Sequence, residues 1–266
     1  YSSGIGGGGF ALVRFGEALT FLDFRETAPR RATRDMFLED GRPVPERARD
    51  GALAVGVPGA VKGYLALHAR WGALPRAVVL EPAIRIAEHG FLVDARYRAF
   101  AQWRLDVLRR DPDAARIFLV PGEGGPQVPP LGHRVVQMDL ARTLRAIARE
   151  GARAFYEGPI AARLAADMAA RGGLVDEADL KAYEVVERRP LVGRYRGHAI
   201  ATAPPPSAGG EVVLATLGVL ETLPDDAPWR DPAALHLYVE TLKRVYADRA
   251  LFGDPAFVDV PMQALL

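Results

Sequence analysis

There is no cysteine in this chain, and that absence removes disulfides, thiolate zinc sites, iron–sulfur clusters and cysteine nucleophiles together. It leaves the compartment open, because a cysteine-free protein tolerates oxidising and reducing surroundings alike. Lysine is scarce as well, at Lys62, Lys181 and Lys243 alone, so nearly all of the 34 basic residues are arginines. GC-rich genomes and thermophilic hosts both produce that bias, and composition does not separate them. Serine occurs only at Ser2, Ser3 and Ser207, none of them in a G-x-S-x-G elbow, which supplies nucleophilic catalysis poorly. Charge of one sign is missing too: 34 Lys and Arg against 33 Asp and Glu leave a formal net of +1, so no broad positive field exists to hold a nucleic acid. No apolar run approaches the roughly 18 residues of a membrane helix. The start at Tyr1 shows neither a basic n-region nor an apolar h-region. A first residue other than Met, followed at once by a glycine-dense segment, leads us to expect a fragment or a processed chain.

What is present suffices for a core. The chain has 266 residues, 49% hydrophobic and 25% charged, the balance of a globular protein and not of a disordered one. The length allows one or two compact units at about 150 residues per domain. After Gly4–Gly9, the runs Phe10–Phe15 and Ala18–Phe24 flank Gly16-Glu17 and read as a β-hairpin. A loop follows around Pro43, Pro45 and Glu46–Asp50. Helices are expected near Gly59–Trp71 and Pro82–His89, the second stopped by Gly90, and in the Arg-rich stretch from Asp94 to Arg110. Pro121–Pro130 is a loop, and Asp139–Glu150 carries Leu140, Leu144 and Ile147 on one stripe of a helix. Further helices fit Gly158–Arg171 and Asp176–Tyr183, a strand-like stretch runs over Pro190–Thr202, and a helix over Glu211–Leu223. The last long helix is capped by Asp231 with Pro232 at its first position, and puts Leu235, Tyr238, Leu242, Val245 and Tyr246 on one face. Strands and helices do not alternate strictly, so the fold class is α+β or a layered sandwich, not a doubly wound parallel sheet.

Four features could carry chemistry. Gly4–Gly9 satisfies G-x-G-x-x-G, but that fingerprint has meaning only between a strand and a helix N-terminus, and here strand-like residues follow. Close backbone packing is the better reading of these glycines. The five histidines, His68, His89, His133, His198 and His236, show no ligand spacing, so no metal site is expected. The carboxylates lie mainly among arginines, and spacing does not select a general acid/base pair. The odd constellation is Leu22-Asp23-Phe24-Arg25-Glu26-Thr27-Ala28-Pro29. An arginine at the end of an apolar strand has a rigid fork of donors suited to a carboxylate. It could equally form a structural ion pair with Asp23 or Glu26.

Eight ordered stretches resemble gamma-glutamyltranspeptidases: SSGIGGGGF at Ser2–Phe10, LDFRETAP at Leu22–Pro29, ATRDMF at Ala32–Phe37, GVPGAVKGY at Gly56–Tyr64, EPAIRIAEHGF at Glu81–Phe91, GGLVDEADLKAYEVVERRP at Gly172–Pro190, PPPSAGG at Pro204–Gly210 and YADRALFGDPAFVDVP at Tyr246–Pro261. The resemblance covers essentially the whole chain. It implies an α+β fold, the four-layer αββα sandwich of N-terminal-nucleophile hydrolases, made as a precursor that cleaves itself and completed by a second, small-subunit chain. Residues 1–266 then form a single unit, most of the large subunit. It begins after the family's first helix and stops after Leu266, before the expected cleavage junction. The nucleophilic threonine begins the small subunit, so no catalytic residue is expected in this chain. The substrate-binding residue that the resemblance implies is Arg25, the arginine of D-F-R-E, which would bind the α-carboxylate of the γ-glutamyl group.

The resemblance further implies substrates such as glutathione, no metal or organic cofactor, a small subunit from the same precursor as partner and, in some relatives, a dimer of such heterodimers. It favours a periplasmic or secreted bacterial enzyme. One departure is Ala208, where the family commonly has a second serine, which bears on hydrogen bonding in that loop. The alternatives are an acylase of the same fold with another acyl preference and a catalytically dead scaffold homologue.

Overall fold

A computed structural model describes residues 4–222 and 231–266. The expected helix end at Leu223, and Ser2 and Ser3 of the first motif, lie outside the described residues. The strands are β1 (Phe10–Phe15), β2 (Ala18–Asp23), β3 (Leu38–Glu39), β4 (Arg42–Pro43), β5 (Phe91–Leu92), β6 (Arg134–Val135), β7 (Val186–Arg188), β8 (Leu191–Tyr195) and β9 (His198–Thr202). Between β4 and β7 the chain is mostly helical, which gives the α+β class. The residues group into two compact units, one of residues up to Gly8 with Arg25–Glu184, the other of Gly9–Phe24 with Val185–Leu266.

The first unit holds nine helices among the described residues: α1 (Ala60–Trp71), α2 (Arg76–His89), α3 (Ala95–Trp103), α4 (Leu105–Arg110), α5 (Pro112–Phe118), α6 (Met138–Glu150), α7 (Arg153–Tyr156), α8 (Gly158–Ala170) and α9 (Glu177–Ala182). α2 and α6 pack together through the buried Ile84 and Ala87 on one and Ala141, Leu144 and Ile147 on the other. The expected stripe of α6 is therefore its core face, although Leu140 is only half-buried. The Arg145 guanidinium reaches Glu88 across this contact and holds its carboxyl below the usual range. α2 starts at Arg76, earlier than expected, with Pro82 inside it. A proline there removes one intrahelical donor, and the stretch from Arg76 to Glu81 nevertheless remains helical because the α6 contact supports it. α9 opens with a reciprocal cap in which the Asp179 amide donates to Asp176 at 2.9 Å and the Asp176 amide to Asp179 at 3.2 Å.

The second unit is built on a three-stranded antiparallel sheet in the order β1-β2-β7. The hairpin falls where expected, with Phe15 opposite Ala18 and Phe10 opposite Asp23. Phe21, Leu22 and Phe24 are buried in its core, and the rings of Phe10 and Phe21 lie 5.5 Å apart. Pro190–Thr202 forms a second hairpin: β8 and β9 reverse through Arg196 and Gly197, which have φ of 46° and 79°. Two consecutive positive φ values make the tight turn whose twist matches paired strands, and glycine takes the second at no steric cost.

α10 (Gly209–Glu221) packs on β8, and α11 (Pro232–Asp248) packs on α10. Asp231 caps α11 by accepting from the Ala233 amide at 3.1 Å, as expected from Asp-Pro. The short α12 (Met262–Leu265) ends the chain. The apolar face of α11 is only partly covered. Val245 is buried, whereas Leu235 and Tyr246 are more than half exposed at 57% and 52%, and Tyr238 is exposed too.

Candidate functional site

β2 ends at Asp23, a buried carboxylate that accepts from Arg188 Nε at 2.8 Å. Arg188 lies on β7, the strand beside β2, and its Nη2 also reaches both oxygens of Asp254, at 3.1 and 3.3 Å. One guanidinium thus joins the hairpin, β7 and the G-D-P-A-F stretch of the second unit. Asp23 thus pairs with Arg188, a partner that spacing along the sequence did not suggest.

The chain then enters the first unit at Arg25, which is exposed, as is Glu26. Its backbone is pinned in three places. The Tyr183 hydroxyl donates to the Arg25 carbonyl at 2.9 Å. Thr27 and Val57 exchange backbone hydrogen bonds at 3.3 and 2.8 Å. Arg30 donates to Asp179 from its amide at 3.1 Å and from Nε at 3.0 Å, and this hydrogen bond raises the Arg30 pKa further above its already high value. Asp179 is almost wholly buried, so the far end of the L-D-F-R-E-T-A-P-R segment is anchored on the cap of α9.

The glycine run and the G-V-P-G motif meet at the start of α1. The first amides of a helix have no partner within it, and here Gly59 and Ala60 donate to the Gly7 carbonyl at 2.9 and 2.8 Å. A further amide of this first turn, that of Lys62, donates to the Tyr156 hydroxyl at 3.2 Å, and that hydroxyl donates to the Pro58 carbonyl at 2.9 Å. Burial pushes the Tyr156 hydroxyl up to about 12, the Lys62 amide pulling slightly the other way, so it remains a donor at neutral pH.

Tyr156 stacks on Tyr183 with ring centroids 6.0 Å apart and planes 13° from parallel. Lys62 Nζ sits 5.6 Å over the Tyr156 ring, donates to Glu184 at 2.9 Å and also reaches the Tyr183 carbonyl. In the second unit, Gly9 and Phe24 exchange two backbone hydrogen bonds at 3.1 and 2.9 Å, and a side chain at Gly9 would come within 2.8 Å of the Phe24 ring. The run leads into β1 and not into a helix, so close packing is its role at Gly9 and no dinucleotide fingerprint exists.

Among the described residues no Ser or Thr hydroxyl hydrogen-bonds a side-chain base, and no cluster of His, Cys, Asp or Glu could hold a metal ion. Ser207 Oγ accepts from the Gly209 amide at 3.3 Å at the start of α10, where Ala208 is the N-cap and offers no side-chain bond. A serine at that position could cap the helix, so the departure at Ala208 is local, as expected. Two clefts, of about 760 Å³ beside α6 and α8 and about 540 Å³ in the second unit, are not lined by Arg25. No helix among the described residues is long and apolar enough to cross a membrane. What the described residues provide around Arg25 is an exposed arginine on a loop whose backbone is tied down at Arg25, Thr27 and Arg30. Tyr156 and Tyr183 were missed in the sequence, where each is one aromatic in or beside a helix with no sign of its long-range partner.

The gamma-glutamyltranspeptidase family model matches residues 1–266. The chain is 40% identical to the glutathione hydrolase proenzyme of Escherichia coli, over 98% of this chain and 45% of the relative. It is 42% identical to an acylase ACY 1 proenzyme of a Pseudomonas species, over 99% of this chain and 48% of the relative. The crystal structure of the Helicobacter pylori gamma-glutamyltranspeptidase superposes with a TM-score of 0.94 at 36% identity, covering 99% of this chain and 76% of that one. The chain thus has that enzyme's fold and spans about half the length of the curated relatives it matches.

Proposed function

This chain belongs to the gamma-glutamyltranspeptidase family, and on that premise we propose that it is most of the large subunit of an enzyme acting on glutathione and related γ-glutamyl compounds. The enzyme transfers the γ-glutamyl group to water or to an amino acid or peptide. The nucleophile is a threonine at the start of a small subunit cut from the same precursor. Its hydroxyl attacks the γ-glutamyl amide with its own α-amine as base, an acyl-enzyme forms as the amine leaves, and water or the acceptor then takes the acyl group. The partner subunit is supported by the proenzyme names of relatives about twice this length. Exposed apolar residues along α11 favour an apolar neighbour there.

The observation that carries the substrate assignment is Arg25 on its pinned loop. An exposed fork on an immobilised backbone suits the α-carboxylate that every γ-glutamyl group carries. A second reading, an acylase of other acyl preference, is favoured by the similarity to the acylase proenzyme. The whole protein offered a γ-glutamyl anilide and a glutaryl anilide separates the two. Glutaryl lacks the α-amine and presents a simple terminal carboxylate. Chromophore release from the first alone is expected, and preference for the second overturns the γ-glutamyl reading. Absence of self-cleavage, seen as one band on a denaturing gel, would instead support a dead scaffold.

A further inference from the structure

The hydrogen bond from Tyr183 to the Arg25 carbonyl joins positions 158 residues apart. Tyr183 itself is one of the best-held side chains near the Arg25 loop. It is 4% exposed, follows the last residue of α9, stacks on Tyr156, and its carbonyl accepts from Lys62. Tyr156 is in turn fixed at the start of α1 by Pro58 and the Lys62 amide. A chain of contacts therefore runs from two helix ends to one peptide plane.

That plane matters because of what lies on either side of it. The next backbone anchor is the exchange between Thr27 and Val57. Between that anchor and Phe24, the Tyr183 hydroxyl holds the Arg25 carbonyl. A carbonyl fixed in direction fixes the neighbouring peptide, and with it the Cα–Cβ vector from which the arginine side chain leaves. An exposed arginine loses much rotamer freedom on gripping a ligand, and a backbone ordered beforehand reduces the ordering still required at binding.

We propose that Tyr183 is a positioning residue for substrate binding, its hydroxyl holding the peptide plane that aims the Arg25 guanidinium at the substrate α-carboxylate. This rests on the assignment of Arg25 made above. Tyr183→Phe removes the hydroxyl and keeps the ring that stacks on Tyr156, so the fold is retained while the tie to Arg25 is lost.

The test is a double-mutant cycle in the whole protein: parent, Tyr183→Phe, Arg25→Ala and the double variant, assayed with a γ-glutamyl anilide and compared in thermal midpoint and subunit pattern. One neutral hydrogen bond corresponds to about a 3- to 10-fold effect. The expected result for Tyr183→Phe is a KM raised by about that factor with kcat, maturation and midpoint unchanged, and no further rise when Arg25 is already alanine. If Arg25→Ala raises KM and Tyr183→Phe does not, the positioning role fails while the Arg25 assignment stands. If Arg25→Ala leaves KM unchanged, the assignment fails and the proposal with it. Equal losses from Tyr183→Phe in both backgrounds, or a lowered midpoint with impaired maturation, would mean a structural role and would overturn the proposal.

Discussion

Arg188→Met tests the account of the second unit, because one guanidinium there spans two carboxylates, Asp23 and Asp254. Its side chain is 16% exposed, that of Asp23 7% and that of Asp254 32%. The contact to Asp23 is close to fully desolvated, and the one to Asp254 is partly screened. Removing one member of a fully buried pair costs about 3–5 kcal/mol, most of it from the charge left behind, whereas a solvent-exposed pair contributes about 0–1 kcal/mol. The exposures here point to a loss of about 2–3 kcal/mol, nearly all of it through Asp23. Arg188→Lys keeps the charge but loses the fork that serves two carboxylates at once, so it falls between parent and Met. Asp23→Asn with Arg188→Met leaves no lone charge on the strand and regains part of the loss, so the two changes are not additive. Asp254→Asn costs less than Arg188→Met. The assay is urea unfolding of the whole protein, with loss of stability read from the midpoint at unchanged slope. A loss below about 1 kcal/mol for Arg188→Met, or strict additivity with Asp23→Asn, refutes the reasoning.

Glu211 on α10 is fully buried, its two carboxylate oxygens have no hydrogen-bond partner among the described residues, and burial raises its pKa, with Asp248 adding to the shift and Arg249 opposing it. The folded protein therefore holds this proton more tightly than the unfolded chain. The contribution of Glu211 to stability is most favourable below the unfolded value of about 4.3, falls as pH rises toward the folded value, and stays low above it. Glu211→Gln should flatten that fall and stabilise the protein at neutral pH, as read by thermal midpoints across the range, whereas a destabilised variant with an unchanged slope contradicts it. Dialysis of the whole protein against a chelator should leave activity intact, and a loss restored by one metal would refute the expectation of no cofactor. Residues 1–266 expressed alone should bind a hydrophobic dye and melt without a cooperative transition, since apolar side chains on α11 are bare. A sharp melt with little dye binding would count against a shared core.

Much of the fold was legible because its signals are local. The hairpin of β1 and β2 followed from two apolar runs around Gly16, and the buried face of α6 from apolar spacing at Leu144 and Ile147. The Asp231-Pro232 start of α11 followed from capping chemistry. Where the reading failed, tertiary contact outweighed local preference. Pro82 looked like a helix start and lies inside α2, which packs on α6. The α11 stripe was read as one apolar face, and much of that face is exposed, because periodicity reveals an apolar face and not what covers it. Arg25 stood out as a charge after an apolar strand, but its tie to Tyr183, and the pairing of Asp23 with Arg188, are contacts across more than 150 residues that spacing cannot encode.

The central claim is that Arg25 grips the α-carboxylate, and kcat/KM on a γ-glutamyl anilide for Arg25→Ala and Arg25→Lys, read beside the gel pattern of mature subunits, tests it most directly. Arg25 is exposed in this chain, so the contact is charge-assisted but not fully desolvated. Its loss should cost about 2–3 kcal/mol, or about 30- to 160-fold in kcat/KM. Lysine should fall between parent and alanine, and self-cleavage should proceed in both variants, since it involves no γ-glutamyl substrate. A fully matured Arg25→Ala enzyme with near-parental kcat/KM would contradict the claim.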